Sequence, residues 1–458
     1  MIIILLFLLE TSFISSFGVL LLPKLYTMTM ELPRGRVETL TDDQEHVLKQ
    51  VWMYILHFTG YKIQPPGPLV SSSKSRSSTV SHEKEKEKEK KGGLFSKLKR
   101  NKHSKEKDHQ ELSRTLSNQS AIDPNVKHST DIKVHEALRS LDTINAERAF
   151  WDALRQDSPD NFLLRFVRAR KWDIDNTLLM LSHSIEWRVK ESKVDEVVRN
   201  GELACLEKKQ EGVIKQFKSG KCIIRGRDKK NRPIVIVRPR YHHSSEQTFE
   251  EIEIFTLLLI EYARLMLNEP IDQCTLIFDL TGFTMSNMDY EPVKYMIKAF
   301  EAHYPESLGI LLIHNAPWIF NGIWQIVKNW LDPVVASKIN FTKNTKDLEK
   351  YIDADQILKE LGGQDDYKYE YLLPTKKDNG LAINDEEIIK KSIAERKDLE
   401  KQFIEKTIQW IESKDITTSK QLLQERISLS RKLTENFKTF DGCVRNRGLY
   451  DRLGDIKF

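Results

Sequence analysis

The sequence predicts an α/β protein with a mixed, mostly parallel sheet, preceded by a small helical module and followed by further helices. Two continuous apolar runs, Cys274–Leu280 and Gly309–Ile313, flank a helical pattern at Pro292–His303. That order is typical of a βαβ unit whose parallel strands are buried on both faces. Apolar residues at helical spacing occur on either side, within 131–200 and 385–458.

Composition narrows the class of protein. The chain has 458 residues, of which 40% are hydrophobic and 30% charged, enough for two or three domains with one large core. A net charge of +5 is too small for a dedicated nucleic-acid binder and only weakly suggests an anionic membrane partner. The four cysteines form no C-x-x-C pair, which disfavours a zinc or dithiol site and fits a reducing compartment.

The N-terminal residues 1–30 form an apolar extension with two interpretations. Met1–Leu22 resembles a signal peptide or signal anchor in its hydrophobicity. No Lys or Arg precedes the apolar run, and Glu10 interrupts it. These features favour a gene-model extension, with Met28 or Met30 as the true start.

A first helix is predicted over 41–62, followed by a disordered linker over 65–130. Thr41 and Gln44 form a capping box, and Pro65 and Pro66 end the helix. The linker is rich in Ser, Lys and Glu, a composition that buries too little apolar surface to fold. Within it, Gly93–Arg100 is a basic amphiphilic island that either touches an anionic membrane or is simply solvated.

The ordered region is predicted to contain a helical module at 131–200 and a sheet domain at 201–374. Asp175 is expected to open a helix of the module. Cys222–Ile224 and Ile234–Val237 are short β-branched runs around a turn, which indicates paired strands. The remaining expected elements are a helix at Thr248–Leu267, a strand near Ile339–Phe341, an end of the domain at Gly362–Gly363, and appended helices at 385–458 that pack on the main domain.

A series of motifs gives the sequence a specific resemblance. Phe166–Trp172 reads Phe-x-Arg-Ala-Arg-Lys-Trp, and it is followed in order by Cys274–Leu280, His303–Glu306, Ile313–Pro317, Trp330–Ile339 and Gly362–Gly363. The series resembles the CRAL-TRIO lipid-binding domain with its N-terminal helical module, as in fungal phosphatidylinositol transfer proteins. The Gln44–Trp52 helix, His242–Ser245 and the C-terminal helices are similar to the chitin-synthase-rescue (CSR) subgroup.

The resemblance implies a lipid-headgroup site at Arg170, Lys171, Glu306 and Lys338. Arg offers a planar fork to phosphate oxygens, Lys a point charge, and a carboxylate accepts from inositol hydroxyls. Val335 departs from the family pattern, because many members carry threonine there. Thr284 and Ser286 lie where choline-binding members use hydroxyls.

The resemblance also implies a gated apolar pocket. The gate is the aromatic segment that contains Trp318, Phe320, Trp324 and Trp330, whose tryptophans suit a water–membrane interface. An ordinary buried helix is the alternative interpretation of this segment. The candidate pocket residues are Leu258, Tyr262, Phe278, Thr284, Ser286 and Leu312. Judged without the resemblance, a filled βαβ core is the favoured interpretation of the apolar ones among them.

Enzymatic functions find little support. The P-loop, zinc-protease and nucleophile-elbow motifs are absent from the sequence. Cys222 begins a phosphatase-like run, but Asp228 stands where the arginine is required. His242 and His243 lack a third metal ligand nearby, which favours a polar loop.

The function expected from the resemblance is non-catalytic binding and transfer of phosphatidylinositol, in support of phosphoinositide and lipid metabolism and vesicle trafficking. No cofactor, metal or nucleic-acid partner is expected, and lipid-modifying enzymes are candidate partners. We expect a cytoplasmic monomer that contacts endosomal, microsomal or Golgi membranes transiently. The alternative is a sensor of a sterol- or squalene-type ligand without transfer activity.

Overall fold

The computed structural model describes residues 32–67, 134–378 and 386–457. The predicted N-terminal extension, the linker beyond residue 67 and the basic island at 93–100 lie outside these residues. Within the described ranges, no helix combines the length and apolar character that crossing a membrane requires.

A five-stranded sheet lies at the centre of the described structure, with the strands side by side in chain order. Its strands are β1 (Cys222–Arg227), β2 (Pro233–Val237), β3 (Cys274–Asp279), β4 (Leu308–His314) and β5 (Ile339–Thr342). β1 and β2 form the predicted antiparallel pair, and the other neighbours are parallel. The Asp228 carboxylate holds the intervening turn by accepting from the N–H groups of Lys230 and Arg232, both at 2.9 Å. The predicted strand pairs and βαβ unit are therefore confirmed.

Six helices are described ahead of the sheet, and the first four follow the predicted apolar periodicity. They are α1 (Asp42–Phe58), α2 (Thr143–Leu154), α3 (Pro159–Ala169), α4 (Ile174–Glu186), α5 (Val194–Glu207) and α6 (Glu211–Ser219). The Thr41–Gln44 capping box is confirmed. Two end positions differ from prediction: α1 stops at Phe58, before the prolines, and Asp173, not Asp175, caps α4. α5 runs through residue 200, the predicted module boundary, with a kink at Gly201.

The helices described after β2 are interleaved with the strands and then extend beyond them. They are α7 (Phe249–Leu265), α8 (Tyr290–Ala302), α9 (Phe320–Val327), α10 (Pro333–Ser337), α11 (Thr345–Leu348), α12 (Glu386–Glu412), α13 (Ile416–Val444) and α14 (Leu449–Arg452). The predicted gate at Trp318–Trp330 is not one continuous α-helix. It consists of α9 and a 3-10 turn at Lys328–Trp330.

The two faces of the sheet pack against different partners. On one face, Ile236, Ile277 and Leu312 are buried against α11 and the segment 352–361. The opposite face, which we call the inner face, packs against α7 at the β1 side and against α9 at the β4 side. Strand side chains alternate between the two faces, so neighbouring residues face different partners.

The C-terminal helices pack on the sheet domain, as predicted, and also on the helical module. Phe403, Trp410 and Leu433 of α12 and α13 share a core with Trp52 of α1 and with α3 and α4 of the helical module. At the centre of this core Arg426 and Asp160, both fully buried, form an ion pair at 2.6 Å. α12 and the first part of α13 are thus built into the helical module's core, while Phe437 near the end of α13 packs in the core of the sheet domain. The periodicity identified each buried helix face but not its partner, since the partner residues lie more than 250 positions away.

Candidate functional site

The inner face of the sheet borders space that the protein does not fill. Leu276 lies in the middle strand, β3, but remains half-buried, whereas its neighbours Thr275 and Ile277 are 0% and 2% exposed on the other face. Val235 of β2 and Leu311 of β4, which flank β3 on the inner face, are also half-buried. Interior side chains of a covered sheet normally pack closely. The pattern therefore indicates an apolar space between the sheet and its covering helices.

The helices opposite contribute side chains of the same kind. Ile254 of α7 and Val293, Met296 and Ile297 of α8 are all apolar and half-buried. α7 and α8, which pack against each other, thus carry further partly buried apolar groups. An environment of this kind suits a hydrocarbon chain, for which each methylene removed from water contributes about 0.8 kcal/mol.

The gate segment covers the inner face at the β4–β5 side. Phe320 and Ile323 point inward and pack with Leu280, Phe283 and Ile313. The tryptophans lie further out and are arranged differently from one another. The ring centroids of Trp324 and Phe341 are 5.3 Å apart, those of Trp330 and Tyr290 are 5.6 Å apart, and Trp318 is 84% exposed. An indole so exposed at the start of a helix that covers an apolar space is unusual for a buried structural helix.

The structure places the predicted pocket residues in four different environments. Phe278 is half-buried on the inner face beside the gate segment. Leu258 and Tyr262 are fully buried in a closed core at the β1 side, where the Tyr262 hydroxyl donates to Glu202 at 3.0 Å. Leu312 is buried on the opposite face of the sheet. Because the run in β4 is apolar throughout, its sequence does not show which side chains face inward and which face the opposite side of the sheet.

Thr284 and Ser286, the remaining two of these residues, are exposed rather than enclosed. They lie at a 3-10 turn after β3, and their hydroxyl oxygens are 2.8 Å apart. The Thr284 hydroxyl also donates to the Asn287 side chain at 2.9 Å. The turn is polar and local, so these two residues are placed at the surface and not within the apolar space.

Of the four predicted headgroup residues, Glu306 and Lys338 are brought into contact. The Lys338 ammonium lies 3.9 Å from a Glu306 carboxylate oxygen and donates to the Leu308 carbonyl at 2.9 Å. Both side chains are about a quarter exposed, at 24% for Glu306 and 22% for Lys338. They therefore form a partly solvated pair of opposite charges at the start of β4 and β5, accessible to a polar ligand.

Arg170 and Lys171 follow α3 and approach the same region from the helical module. Burial lowers the pKa of Arg170, while the carboxylates of Asp332 and Glu301 raise it. Asp332 caps α10 and Lys338 ends it, so Arg170 and Lys338 lie near opposite ends of a segment about 9 Å long. Lys171 is exposed. Among the four residues, Glu306 and Lys338 are in direct contact, and Arg170 lies near the other end of α10.

The backbone around these residues is strained. Lys171, Trp172 and Glu306 adopt positive φ angles of 54°, 67° and 56°. Such angles are costly for residues with a Cβ atom and concentrate at functional sites, where the surrounding structure holds them.

Arg168 is a further candidate that the motif analysis did not single out. Its guanidinium donates to the Gly35 carbonyl at 2.9 Å and to Asp272 at 3.3 Å. Burial lowers its pKa, and the Glu306 carboxylate is among the groups that raise it. Arg168 belongs to the same Phe-x-Arg-Ala-Arg-Lys-Trp motif, so the sequence did mark it as a candidate. Its contact with Gly35 in the N-terminal segment could not be predicted from that motif.

A buried network of hydrogen bonds around Glu261 supports the His303–Glu306 segment. The Glu261 carboxylate accepts from Tyr304 at 2.9 Å and from Arg155 at 3.0 Å, and it also contacts Arg264 and Arg188. Although Glu261 is fully buried, these guanidinium groups hold the pKa of its carboxyl well below the ordinary range. The network fixes α7 against the helical module and so positions Glu306.

Cys222 and His242, which the sequence raised as a nucleophile and a metal ligand, both occupy buried positions. Burial of Cys222 in β1 raises the pKa of its thiol to about 12, which disfavours a nucleophilic role. His242 lies between Lys221, at 2.9 Å, and Asp289, at 3.2 Å, and so is not part of a plain polar loop. In the three described ranges, no cluster of three or more potential metal ligands occurs.

A separate cleft of about 990 Å³ lies beyond the β1 edge of the sheet. Its lining mixes many arginine and lysine residues with a similar number of carboxylates, including Arg225, Asp365, Asp272 and Arg431. Because the charges are balanced and Arg225 is already paired with Asp365 at 2.8 Å, the cleft lacks the character of an acyl-chain pocket.

Comparison with known proteins gives matches over most of the chain. Residues 217–363 match the model of the CRAL/TRIO domain, and residues 132–183 match that of the CRAL/TRIO N-terminal domain. The phosphatidylinositol transfer protein CSR1 of Eremothecium gossypii is 42% identical over 94% of this chain and 100% of its own length. A CRAL-TRIO domain-containing protein of Schizosaccharomyces pombe is 37% identical over 92% of each chain. A second such protein of that organism is 29% identical over 67% of this chain and 86% of its own.

Proposed function

The chain belongs to the CRAL/TRIO domain family, and from this membership we propose that it binds one phosphatidylinositol molecule and moves or presents it between membranes. The acyl chains lie in the apolar space between the inner face of the sheet and α7, α8 and α9. The observation that carries the proposal is the half-buried Leu276 in the middle of a sheet covered on both faces.

The energetics of carrying a lipid through water agree with this arrangement. An acyl chain of about sixteen carbons needs on the order of 13 kcal/mol of compensation for leaving a bilayer. Only an enclosed apolar space provides it, which explains why Phe320 and Ile323 close over the inner face. A membrane lowers the cost of opening, because the apolar side of α9 then meets lipid instead of water.

The inositol phosphate is proposed to bind at Arg170, Lys171, Glu306 and Lys338. The Glu306–Lys338 pair offers an acceptor for inositol hydroxyls and a donor for phosphate oxygens at one point. Val335 does not supply a hydroxyl, but its carbonyl accepts from the Lys338 N–H at 3.0 Å and so helps to orient that lysine. Arg168 is proposed to position Glu306 electrostatically.

We propose that the protein does this without catalysing a reaction and without a cofactor. Its membrane contact is peripheral and transient, as expected for a cytoplasmic monomer that serves endosomal, microsomal or Golgi membranes and lipid-modifying enzymes. Fluorescence microscopy of the tagged full chain tests the membrane assignment.

A vesicle-to-vesicle assay with labelled phosphatidylinositol tests the function. Transfer is expected to exceed the buffer rate and to fall in a Lys338→Ala variant but not in a Lys350→Ala variant, whose lysine is exposed elsewhere. Transfer no faster than in buffer contradicts the proposal. Binding of a sterol or squalene in place of phosphatidylinositol would favour a sensor.

A further inference from the structure

The segment 448–457 lies outside both matched domain ranges, and its large apolar side chains Leu449, Tyr450 and Ile456 are buried. We call it the C-terminal strap. Leu449, Tyr450 and Ile456 are 0%, 1% and 7% exposed. All three belong to the closed core at the β1 side of the inner face, together with Leu258 and Tyr262.

Specific polar contacts anchor the strap. The Ile224 N–H of the edge strand β1 donates to the Tyr450 hydroxyl at 2.7 Å. The Leu449 N–H donates to the buried Glu202 at 2.7 Å, which also accepts from Tyr262. At its start, Gly448 runs so close to the Tyr262 ring that a Cβ atom would fall 2.2 Å from it. The strap therefore has one defined position against β1 and α7.

The strap and the gate segment lie at opposite sides of the same apolar layer. The gate packs on β4 and β5, and the strap packs on β1. Between them the half-buried residues Phe278, Leu276 and Val235 cross the inner face. Since neighbouring strands are about 4.8 Å apart, the distance from β5 to β1 is about 19 Å.

Behind the strap lies the charged cleft of about 990 Å³. Ile456 of the strap and the core residues Ile224 and Leu265 also line that cleft. The core at the β1 side therefore borders the cleft, and the strap contributes Ile456 to that border.

We propose that the C-terminal strap is the blind end of the acyl pocket and that the Tyr450 ring sets the length of acyl chain the pocket accepts. The inference rests on the proposed lipid binding. Phosphatidylinositol enters at the gate, its acyl chains run along the inner face toward β1, and their methyl ends meet the core that Tyr450 and Leu449 complete.

The test compares Tyr450→Ala with Tyr450→Phe, which keeps the ring and removes only the hydroxyl. Each full-length protein is loaded from vesicles that contain equal amounts of dimyristoyl, dipalmitoyl and distearoyl phosphatidylinositol, and the bound species are quantified by mass spectrometry. Tyr450→Ala should raise the ratio of bound distearoyl to dimyristoyl lipid by at least about fourfold. This is the change in affinity expected when one additional methylene is buried. Tyr450→Phe should keep the wild-type ratio.

The outcomes separate this inference from the proposed function. If the wild-type chain takes up no lipid from any vesicle, the proposed function fails and the inference fails with it. If the wild-type chain loads normally and a folded Tyr450→Ala protein keeps the wild-type ratio, only the inference is overturned.

A second measurement uses the wild-type protein alone, in case Tyr450→Ala does not fold. Phosphatidylinositol with a photoreactive diazirine at the methyl end of one acyl chain is loaded and irradiated, and the labelled peptides are mapped. Labelling of the strap peptide, or of its neighbours on α7, supports the inference. Labelling confined to the gate segment and β5 overturns it.

Discussion

At the scale of single residues, the contact between Glu306 and Lys338 is the part of the proposed headgroup site that the structure defines best. The two charged groups meet at 3.9 Å, and Glu306 adopts a positive φ of 56°. Their meeting could be expected only from the resemblance, because 31 intervening residues separate them and nothing local in either motif points to the other. The strained backbone at Lys171, Trp172 and Glu306 could not be predicted from sequence at all.

Replacing either member of this pair should weaken transfer. A hydrogen bond to a charged group typically contributes about 1.5–3 kcal/mol, so Glu306→Ala or Lys338→Ala should reduce affinity for phosphatidylinositol by at least about tenfold. Titration with labelled phosphatidylinositol measures the affinity, with Lys350→Ala as the control and thermal melting to verify folding. Normal binding by both variants would place the headgroup elsewhere.

His303 predicts a dependence of stability on pH. Its ring stacks on Trp187 at 4.0 Å, its two nitrogens have no partner among the described residues, and burial lowers its pKa from 6.5 to about 3. A base whose pKa is lowered by folding binds protons more readily in the unfolded state. The stabilising contribution is therefore complete above pH 6.5 and is lost progressively as the pH falls toward 3.

A His303→Phe variant tests this, because phenylalanine keeps the stacked ring and does not titrate. Between about pH 7.5 and about pH 5, wild type should lose about 2 kcal/mol of unfolding free energy relative to the variant. Urea denaturation at several pH values measures the difference. Parallel pH profiles for the two proteins would mean that His303 is hydrated in solution and titrates normally.

At the scale of elements, the strands and most helices were predictable, whereas their faces and partners were not. β3 and β4 are recognisable as apolar runs, but an unbroken run does not show which residues face inward, and Leu312, predicted for the pocket, packs on the opposite face. The capping residues of α1 fix its start, while its end is set by Gly60, with a φ of 93°, and not by the prolines.

The gate segment gives a prediction at this scale. Trp318 is 84% exposed, so Trp318→Ser should change stability by less than about 0.5 kcal/mol, as expected for a surface substitution. It should nevertheless slow lipid exchange at vesicles, because the indole is lost from the surface that meets the bilayer. Transfer kinetics measure the effect.

Ile144→Ser is the matched control, since Ile144 is an apolar residue of α2 with 79% exposure. It should leave exchange unchanged. Tryptophan fluorescence of the wild-type protein should also shift on mixing with vesicles. An unchanged spectrum together with normal exchange by Trp318→Ser would mean that the segment does not contact the membrane.

The buried pair Arg426–Asp160 tests whether α13 is part of the fold. Burial lowers the pKa of Arg426 and raises that of Asp160, and the Trp52 indole donates to the same carboxylate at 2.7 Å. Arg426→Ala should destabilise the protein by about 3–5 kcal/mol, because it leaves a buried carboxylate without its counter-charge. Lys438→Ala on the same helix should change stability by less than about 1 kcal/mol, since its ion pair is exposed.

Urea denaturation of the two variants measures these differences. Equal stability of Arg426→Ala and wild type would indicate that α12 and α13 are loosely attached helices and are not built into the helical module.

At the scale of the whole molecule, the described structure joins three regions around one apolar layer. The helical module supplies Arg170, the sheet supplies the inner face and Lys338, and the C-terminal strap closes the β1 side. The family resemblance predicted the first two of these. The strap could not be predicted, because its ten residues carry no periodicity and their partners, such as Glu202 and Ile224, lie more than 220 positions earlier.

Native mass spectrometry of the purified full-length chain tests the central claim most directly, because it weighs the protein with whatever lipid it has retained from cells. The account predicts one bound phospholipid per chain, identified after release as phosphatidylinositol, and loss of that species in Lys338→Ala but not in Lys350→Ala. A sterol or squalene in its place, or a wild-type chain that carries no lipid and takes up none from phosphatidylinositol vesicles, would contradict the account.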